Sequence, residues 1–397
     1  MKTKGKPYKM KPNKGELQIE YRPGMEGLIA TRSAICFIDG MKGLLEYRGI
    51  NISALVEHST FKETAFLLLH SHLPNSREFK QFKTLMSKQR HLPRSVLNAI
   101  THLPVGMPPM LALQSSIAFL QGEDLYADDV SFLKHNLIRA SALTAKVPTI
   151  IAAFDRRRNN EEPMPPVSKY THAENFLFML SGEPPKKRLA KLFDKCLILH
   201  AEHTMNPSTL TNRVIASTNA SIYSAISGAV GSLSGPLHGG ANEEALLMLQ
   251  SIGDPKNVDT YFREYLDSGG KIPGFGHRIY KVKDPRAILL QRELSETLKR
   301  TGGAEDRILF QTALKLEKVA KKELGKKGIY PNVDFYSGIL FKLLGIPLSL
   351  FTTVFAMARV AGWTAHWTEQ VSHNRVFRPT QEYIGDHHRR YIPIEER

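Results

Sequence analysis

The chain has 397 residues, 42% of them apolar and 23% charged, the ordinary composition of a globular protein with room for a large core and more than one domain. Its net charge of +16 calls for acidic partners, either nucleic acid or small polyanions, and charge alone does not choose between them. Two cysteines, Cys36 and Cys196, exclude a disulfide framework and a cysteine metal site. No apolar run approaches the roughly 20 residues of a membrane span, and no signal-peptide core is evident, so a cytoplasmic protein without membrane contact is expected.

Residues 1–23 read as a flexible arm carrying Lys2, Lys4, Lys6, Lys9, Lys11 and Lys14. Helical spacing then dominates. A capping box at Thr60-Phe-Lys-Glu63 opens a helix over 60–72. Glu161-Glu-Pro-Met-Pro-Pro166 is a surface loop. A helix over 191–203 puts Leu192, Cys196, Leu199, His200 and His203 on one face, with Cys196 a buried, inert thiol. Between Ala216 and Gly240 small residues crowd the chain, which permits close helix packing and close approach to a ligand. Further helices are expected over 313–324, stopped by Gly325, Gly328 and Pro331, and over 348–370. Period-2 alternation is scarce, so the fold class is mostly α.

Three segments carry chemistry. In Ser234-Gly-Pro-Leu-His-Gly-Gly-Ala-Asn-Glu-Glu244, Asn242 reads as a helix N-cap. His238 then stands just ahead of a positive helix end that biases its imidazole toward neutrality. It can donate to an oxygen gaining negative charge, or be a satisfied loop histidine. In Lys271-Ile-Pro-Gly-Phe-Gly-His-Arg-Ile-Tyr-Lys-Val-Lys-Asp-Pro-Arg286, Asp284-Pro285 opens a helix. Arg286 falls in its first turn, where an arginine argues for a bound carboxylate or phosphate. Lys281 and Lys283 add charge, either for a ligand or as a solvated basic loop. In Tyr330-Pro-Asn-Val-Asp-Phe-Tyr-Ser-Gly338, Asp334 lies between apolar neighbours in an extended stretch. That environment suits a general base of raised pKa, although an N-cap for a helix starting near Ser337 explains it as well. Arg359 shares a helical face with Phe351 and Phe355, so its guanidinium needs an anionic partner. His203 ends an apolar stripe ahead of Asn206-Pro207 and also fits a core histidine. No metal site is expected, because His200-Ala-Glu-His203 lacks the spacing of a zinc helix.

Taken in order, these segments resemble the citrate synthase family. The likeness runs from about Gly24 to Arg397, through Gly27–Gly40, Leu45-Glu-Tyr-Arg-Gly49, His200–His203, Gly235-Pro-Leu-His-Gly-Gly240, Pro273-Gly-Phe-Gly-His277, Asp284-Pro-Arg286, Pro331-Asn-Val-Asp-Phe335, Arg359–His366 and Arg375–Pro379. Any one motif is weak; all of them in register are specific. The resemblance implies a mostly helical homodimer, with a large domain of residues 24–236 and 340–397 and a small domain, 237–339, that closes over the substrates. It implies His238 at the enol of acetyl-CoA, Asp334 as the base and His277 at the ketone of oxaloacetate. His203, Arg286 and Arg359 would hold carboxylates, joined by Arg378 from the neighbouring subunit. Lys271, Ile272, Pro273, Gly274, Phe275 and Gly276 would meet the CoA adenine, with Lys281 toward its phosphates. No cofactor is implied, since the CoA thioester is a substrate. The short stretch before Gly24 leads us to expect a dimer and not the hexameric, NADH-sensitive form.

This chain departs from the family's frequent His-Ala-Asp-His-Glu at His200-Ala-Glu-His-Thr204, and from its His-Pro-Met-Asp stretch at Pro108-Pro-Met-Leu111. Three other readings remain: 2-methylcitrate synthase acting on propionyl-CoA, since one methylene discriminates by only about 1–3 kcal/mol; a citryl-CoA lyase-like activity; and a basic nucleic-acid-binding protein. The last lacks a recognition motif or an aromatic platform, so no nucleic-acid partner is expected.

Overall fold

The computed structural model describes residues 21–267 and 269–397, so the lysines of the N-terminal arm lie outside the described residues. Sixteen α-helices and a single three-stranded sheet occur among the described residues, the mostly α fold expected. The chain divides into two compact units. One runs from Ser33 to Val376; the other joins the residues up to Arg32 with Phe377–Arg397. In the terminal unit the described regular structure is two 3-10 helices, Pro23–Met25 and Ile394–Glu396.

The larger unit opens with an antiparallel sheet of β1 (Cys36–Asp39), β2 (Leu44–Tyr47) and β3 (Ile50–Asn51), with Cys36 opposite Tyr47. Leu45 and Tyr47 point inward, as the two-residue period requires. The Tyr47 hydroxyl lies 3.1 Å from the carbonyl of Ile198 and 2.9 Å from that of Glu202. It thereby ties the sheet to the end of the helix Lys187–His200.

That helix stops three residues short of the expected end at His203. Thr204 has a left-handed φ of 50°, and Asn206 caps a new helix, Pro207–Ala216, by accepting from the Thr209 N–H at 3.0 Å. Asn206-Pro207 thus acts as a start signal close enough to terminate the preceding helix. The earlier helix forms as Phe61–His70, and Thr60 accepts from the Glu63 N–H at 3.3 Å. The return half of the capping box is missing, because the Glu63 carboxylate takes the Ser59 hydroxyl instead.

Two helices form the interior, Leu133–Arg158 and Phe351–Ser372, and they pack on each other. The expectation that no apolar run reaches membrane-spanning length does not hold. Leu133–Arg158 and Leu348–Ser372 are both long and apolar enough, yet 78% and 83% of their apolar windows are buried inside the protein. A helix enclosed by other helices is apolar on all sides for the same reason a lipid-facing one is. Trp363 and Trp367 are fully buried on the second of them, and Gly362 brings its backbone against the Ala201 carbonyl, which the Gly362 N–H meets at 3.1 Å.

The segment 237–339 lies wholly inside the larger unit. It contains Ala241–Ile252, Val258–Asp267, Pro285–Thr301 and Ala304–Leu324, the last beginning well before the expected 313. Gly325 opens a short 3-10 turn, and Gly328, with a φ of 70°, closes it.

Candidate active site

The loop 271–276 and the start of the helix Val333–Leu343 are built as one piece. Phe275 pairs with Pro331 as an isolated β-bridge. The Gly276 N–H donates to the Tyr330 carbonyl at 2.8 Å, and the Asn332 N–H donates to the Gly274 carbonyl at 2.8 Å. The Asn332 side chain completes the junction from both ends. Its amide donates to the Gly276 carbonyl at 3.0 Å, and its oxygen caps the helix by accepting from the Asp334 N–H at 2.9 Å.

Asp334 therefore sits in the first turn of a helix, not in the extended stretch expected. The extended part ends at Asn332, whose side chain can cap where the aliphatic Val333 cannot. Burial pushes the Asp334 carboxyl up to about 6, against the lowering influence of Arg286 and Arg359. It remains ionised at neutral pH but is more basic than an ordinary aspartate.

His238 lines the same cleft as Asp334. The helix after it is Ala241–Ile252, capped by Gly240 at a φ of 135°; the expected N-cap, Asn242, lies inside the first turn and is buried. The two glycines turn the chain so sharply that the cap falls two residues early. His238 Nε2 is 2.8 Å from the Ser208 hydroxyl oxygen and receives the Ser208 backbone N–H at 3.3 Å. A backbone N–H can only donate, so Nε2 carries the lone pair and Nδ1 the proton. Burial, with the charge of Arg359, pushes the imidazole down to about 4, so it is neutral at physiological pH. His238 and Asp334 line one cleft, together with Gly239, Gly240, Ala241, Asn242, Thr352 and Phe355.

His277 follows the glycine loop. Its Nδ1 accepts from the backbone N–H groups of Ile279 at 3.0 Å and Tyr280 at 3.3 Å, which leaves Nε2 as the protonated donor. Burial pushes it down to about 4 as well, with Arg286 acting in the same direction. The His203 ring lies 5.1 Å from it, centroid to centroid. Burial holds His203 far below the usual histidine range. Tyr280 stands against both rings, at 4.8 Å from His277 and 5.6 Å from His203.

The two buried arginines differ. Arg286 occupies the first turn of Pro285–Thr301 as expected, but its anion is internal. Asp284 grips it with two contacts, 3.0 Å to Nε and 2.7 Å to Nη2, while capping the same helix. The inference from Arg286 to a bound anion therefore loses its force. Arg359 has no such partner among the described residues. Its Nε donates to the His200 carbonyl at 2.8 Å, and its guanidinium lies 4.7 Å from the centre of the Phe355 ring. That places a buried cation beside the wall of the cleft.

Of the lysines, Lys281 is exposed, with Nζ 3.5 Å from the Arg278 carbonyl, and Lys271 is exposed as well. Lys283 is a structural cation: it contacts Glu317 at 2.5 Å and Gln291 at 2.7 Å. Arg378 belongs to the terminal unit, where it is exposed and donates to the Pro379 carbonyl at 2.9 Å.

Glu202, one of the departures from the family pattern, is fully buried. It accepts from His366 Nε2 at 3.0 Å, and Arg213 Nε donates to His366 Nδ1 at 2.9 Å, so a charged chain braces the turn that carries His203. Sequence reasoning missed Ser208, Tyr280, Asn332 and His366. Only Asn332 left a signal, as an Asn two residues ahead of the carboxylate at a helix start.

A mostly helical chain whose cleft is lined by a neutral histidine and a buried basic carboxylate, with a buried arginine against one wall residue, suits carbon-acid chemistry on an anionic substrate. The chain belongs to the citrate synthase family: the family model for the citrate synthase C-terminal domain matches residues 24–380. It is 46% identical over 381 residues to the citrate synthase of a Synechocystis strain, covering 95% of this chain and 94% of that one. Its structure is similar to that of citrate synthase from Pyrobaculum aerophilum, with a TM-score of 0.89, 37% identity, and coverage of 94% of this chain and 95% of the other. It is also similar to citrate synthase from Thermoplasma acidophilum in a ternary complex with carboxymethyl coenzyme A and oxaloacetate, with a TM-score of 0.88, 32% identity, and coverage of 95% and 100%.

Proposed function

We propose that the chain is a citrate synthase that condenses acetyl-CoA with oxaloacetate and hydrolyses the product to citrate and CoA. The observation that carries this reading is the shared cleft of Asp334 and His238, lined by both a raised carboxylate and a neutral imidazole. A thioester methyl group is too weak an acid for a carboxylate to deprotonate unaided. The oxygen must be stabilised as the proton leaves, which requires base and donor in one cavity.

In this mechanism Asp334 takes the methyl proton while His238 Nδ1–H donates to the thioester oxygen. The enol carbon attacks the ketone carbon of oxaloacetate while His277 Nε2–H hydrogen-bonds the ketone oxygen. The hydroxyl that forms takes up one proton, balanced by the one Asp334 removed from the methyl group, and His277 ends neutral. Water then cleaves the thioester, releasing CoA. Arg359 and His203 hold the oxaloacetate carboxylates with Arg286, whose bond to Asp284 keeps it fixed, and Arg378 contributes from the second subunit. Residues 271–276 receive the CoA adenine, and exposed Lys281 faces its phosphates.

The active form in this reading is a cytoplasmic homodimer whose segment 237–339 closes over the substrates. Closure would keep water out until the condensed thioester has formed. The test is a free-thiol assay of the purified chain with oxaloacetate and either acetyl-CoA or propionyl-CoA. Release of CoA with acetyl-CoA supports the reading; no release with either overturns it.

A further inference from the structure

We propose that Tyr280 is a positioning residue: its hydroxyl holds the lone pair of His203 Nε2 and thereby fixes Nδ1–H as the donor His203 offers to a substrate carboxylate. The proposal rests on the reading of His203 as an oxaloacetate ligand and adds what orients it.

Tyr280 is only 1% exposed, and its hydroxyl oxygen lies 3.2 Å from His203 Nε2. A buried phenol must place its proton on an acceptor. Among the described residues, that ring nitrogen is the acceptor within reach. Were the imidazole to donate instead, the phenolic proton would be left buried without a partner, at the full desolvation cost. Tyr280 therefore donates, Nε2 accepts, and the one proton of the neutral imidazole resides on Nδ1.

His277 is oriented differently, by two backbone N–H groups that no substitution other than proline removes. In His203 the same task falls to a side chain. The phenol is itself held in place. The Lys281 N–H donates to the Gly40 carbonyl at 3.0 Å, and Gly40 packs against the Ile279 carbonyl so tightly that no Cβ would fit. The turn between β1 and β2 thus clamps the backbone on both sides of Tyr280.

Without the hydroxyl, His203 is free to take either tautomer. The Nε2–H form presents a lone pair at Nδ1, which repels an incoming carboxylate. The loss falls on ground-state binding of oxaloacetate and not on proton removal from the thioester.

The experiment pairs kinetics with NMR on the full-length chain. In Tyr280→Phe, KM for oxaloacetate is expected to rise about three- to tenfold, the worth of one net hydrogen bond, with kcat at saturation changed much less. Long-range ¹⁵N–¹H correlation on protein with ¹⁵N-labelled histidine, with the His203 signal identified by its loss in His203→Gln, should report Nδ1–H in the wild type. In Tyr280→Phe the signal should move toward Nε2–H. An Nε2–H tautomer in the wild type, or a variant with unchanged tautomer and KM, overturns the proposal. A wild-type protein that releases no CoA would instead overturn the condensation reading, while the NMR signal still decides the tautomer.

Discussion

Gly274 lies so close to Phe335 that a Cβ added to it would sit 2.8 Å from both Cα and Cβ of Phe335. Its φ of 77° is, in addition, one that side-chain-bearing residues rarely adopt. This contact presses the loop 271–276 onto the first turn of the helix that carries Asp334, so ligand loop and base move as one body. Gly274→Ala should therefore destabilise the protein by about 1–3 kcal/mol, through strained φ and overpacking together. It should also raise KM for acetyl-CoA. Urea denaturation and steady-state kinetics check this, and a variant of wild-type stability and KM would contradict it.

Asp334→Asn should lower kcat by about 10²- to 10⁴-fold, the usual contribution of a positioned base. Because the carboxyl is pushed up to about 6, the basic form is lost as pH falls through that value. His238 and His277, both pushed down to about 4, stay neutral over the same range. The rate should thus decline with a single-proton slope below about pH 6. The ionised form is the one burial disfavours, so Asp334→Asn should be no less stable than wild type at pH 8. A flat pH–rate profile between 5 and 8 would remove Asp334 from the role.

The two arginines should part company when each is replaced by methionine. Arg286→Met leaves the 1% exposed Asp284 carboxylate without its cation, which costs about 3–5 kcal/mol. Arg359→Met breaks no hydrogen-bonded ion pair, only a longer-range attraction to buried Glu202, so its thermal midpoint should fall less. It should, however, abolish the stabilisation by added oxaloacetate that ligand linkage gives the wild type. Thermal melts with and without oxaloacetate test both halves. A retained oxaloacetate shift in Arg359→Met would exclude it as a carboxylate ligand.

Stability should fall on acidification between about pH 6.5 and 4. His200 is pushed down to about 3 and His238 and His277 to about 4, while His172 and His203 are also held low. In this window the unfolded chain binds protons that the folded histidines refuse, so their contribution is lost as pH drops. Asp194 and Asp334, both raised to about 6, act in the opposite sense, since the folded state binds their protons more readily. With His70 also lowered and Asp155 and Glu243 also raised, six histidines outweigh four carboxylates. Urea midpoints at pH 7, 5.5 and 4.5 should decline in that order; a rise would reverse the argument.

Much of this was legible along the chain. The stop signals at Gly325 and Gly328 and the Asn206-Pro207 and Asp284-Pro285 starts are local features read from residue types in order, whereas the roles of His238, His277 and Asp334 are what the family resemblance implies. The errors were also local. The helix expected through His203 ends at His200, because Asn206 caps its successor. Asn242 yielded the cap of its helix to Gly240. Asp334 moved into a first turn once Asn332 took the cap. Each of these three arose where two residues a few positions apart compete for one backbone role, and packing decides between them.

The sequence by itself determined the class of fold, the order of the motifs and the residue types able to do the chemistry, because these depend on spacing and composition. The tertiary structure decided which charges are already satisfied: Arg286 by Asp284, Lys283 by Glu317, but Arg359 by no carboxylate among the described residues. It also decided the protonation of the histidines and of Asp334. Burial and the nearest donor set those properties, and both come from residues far apart in the chain, Ser208 for His238 and Tyr280 for His203.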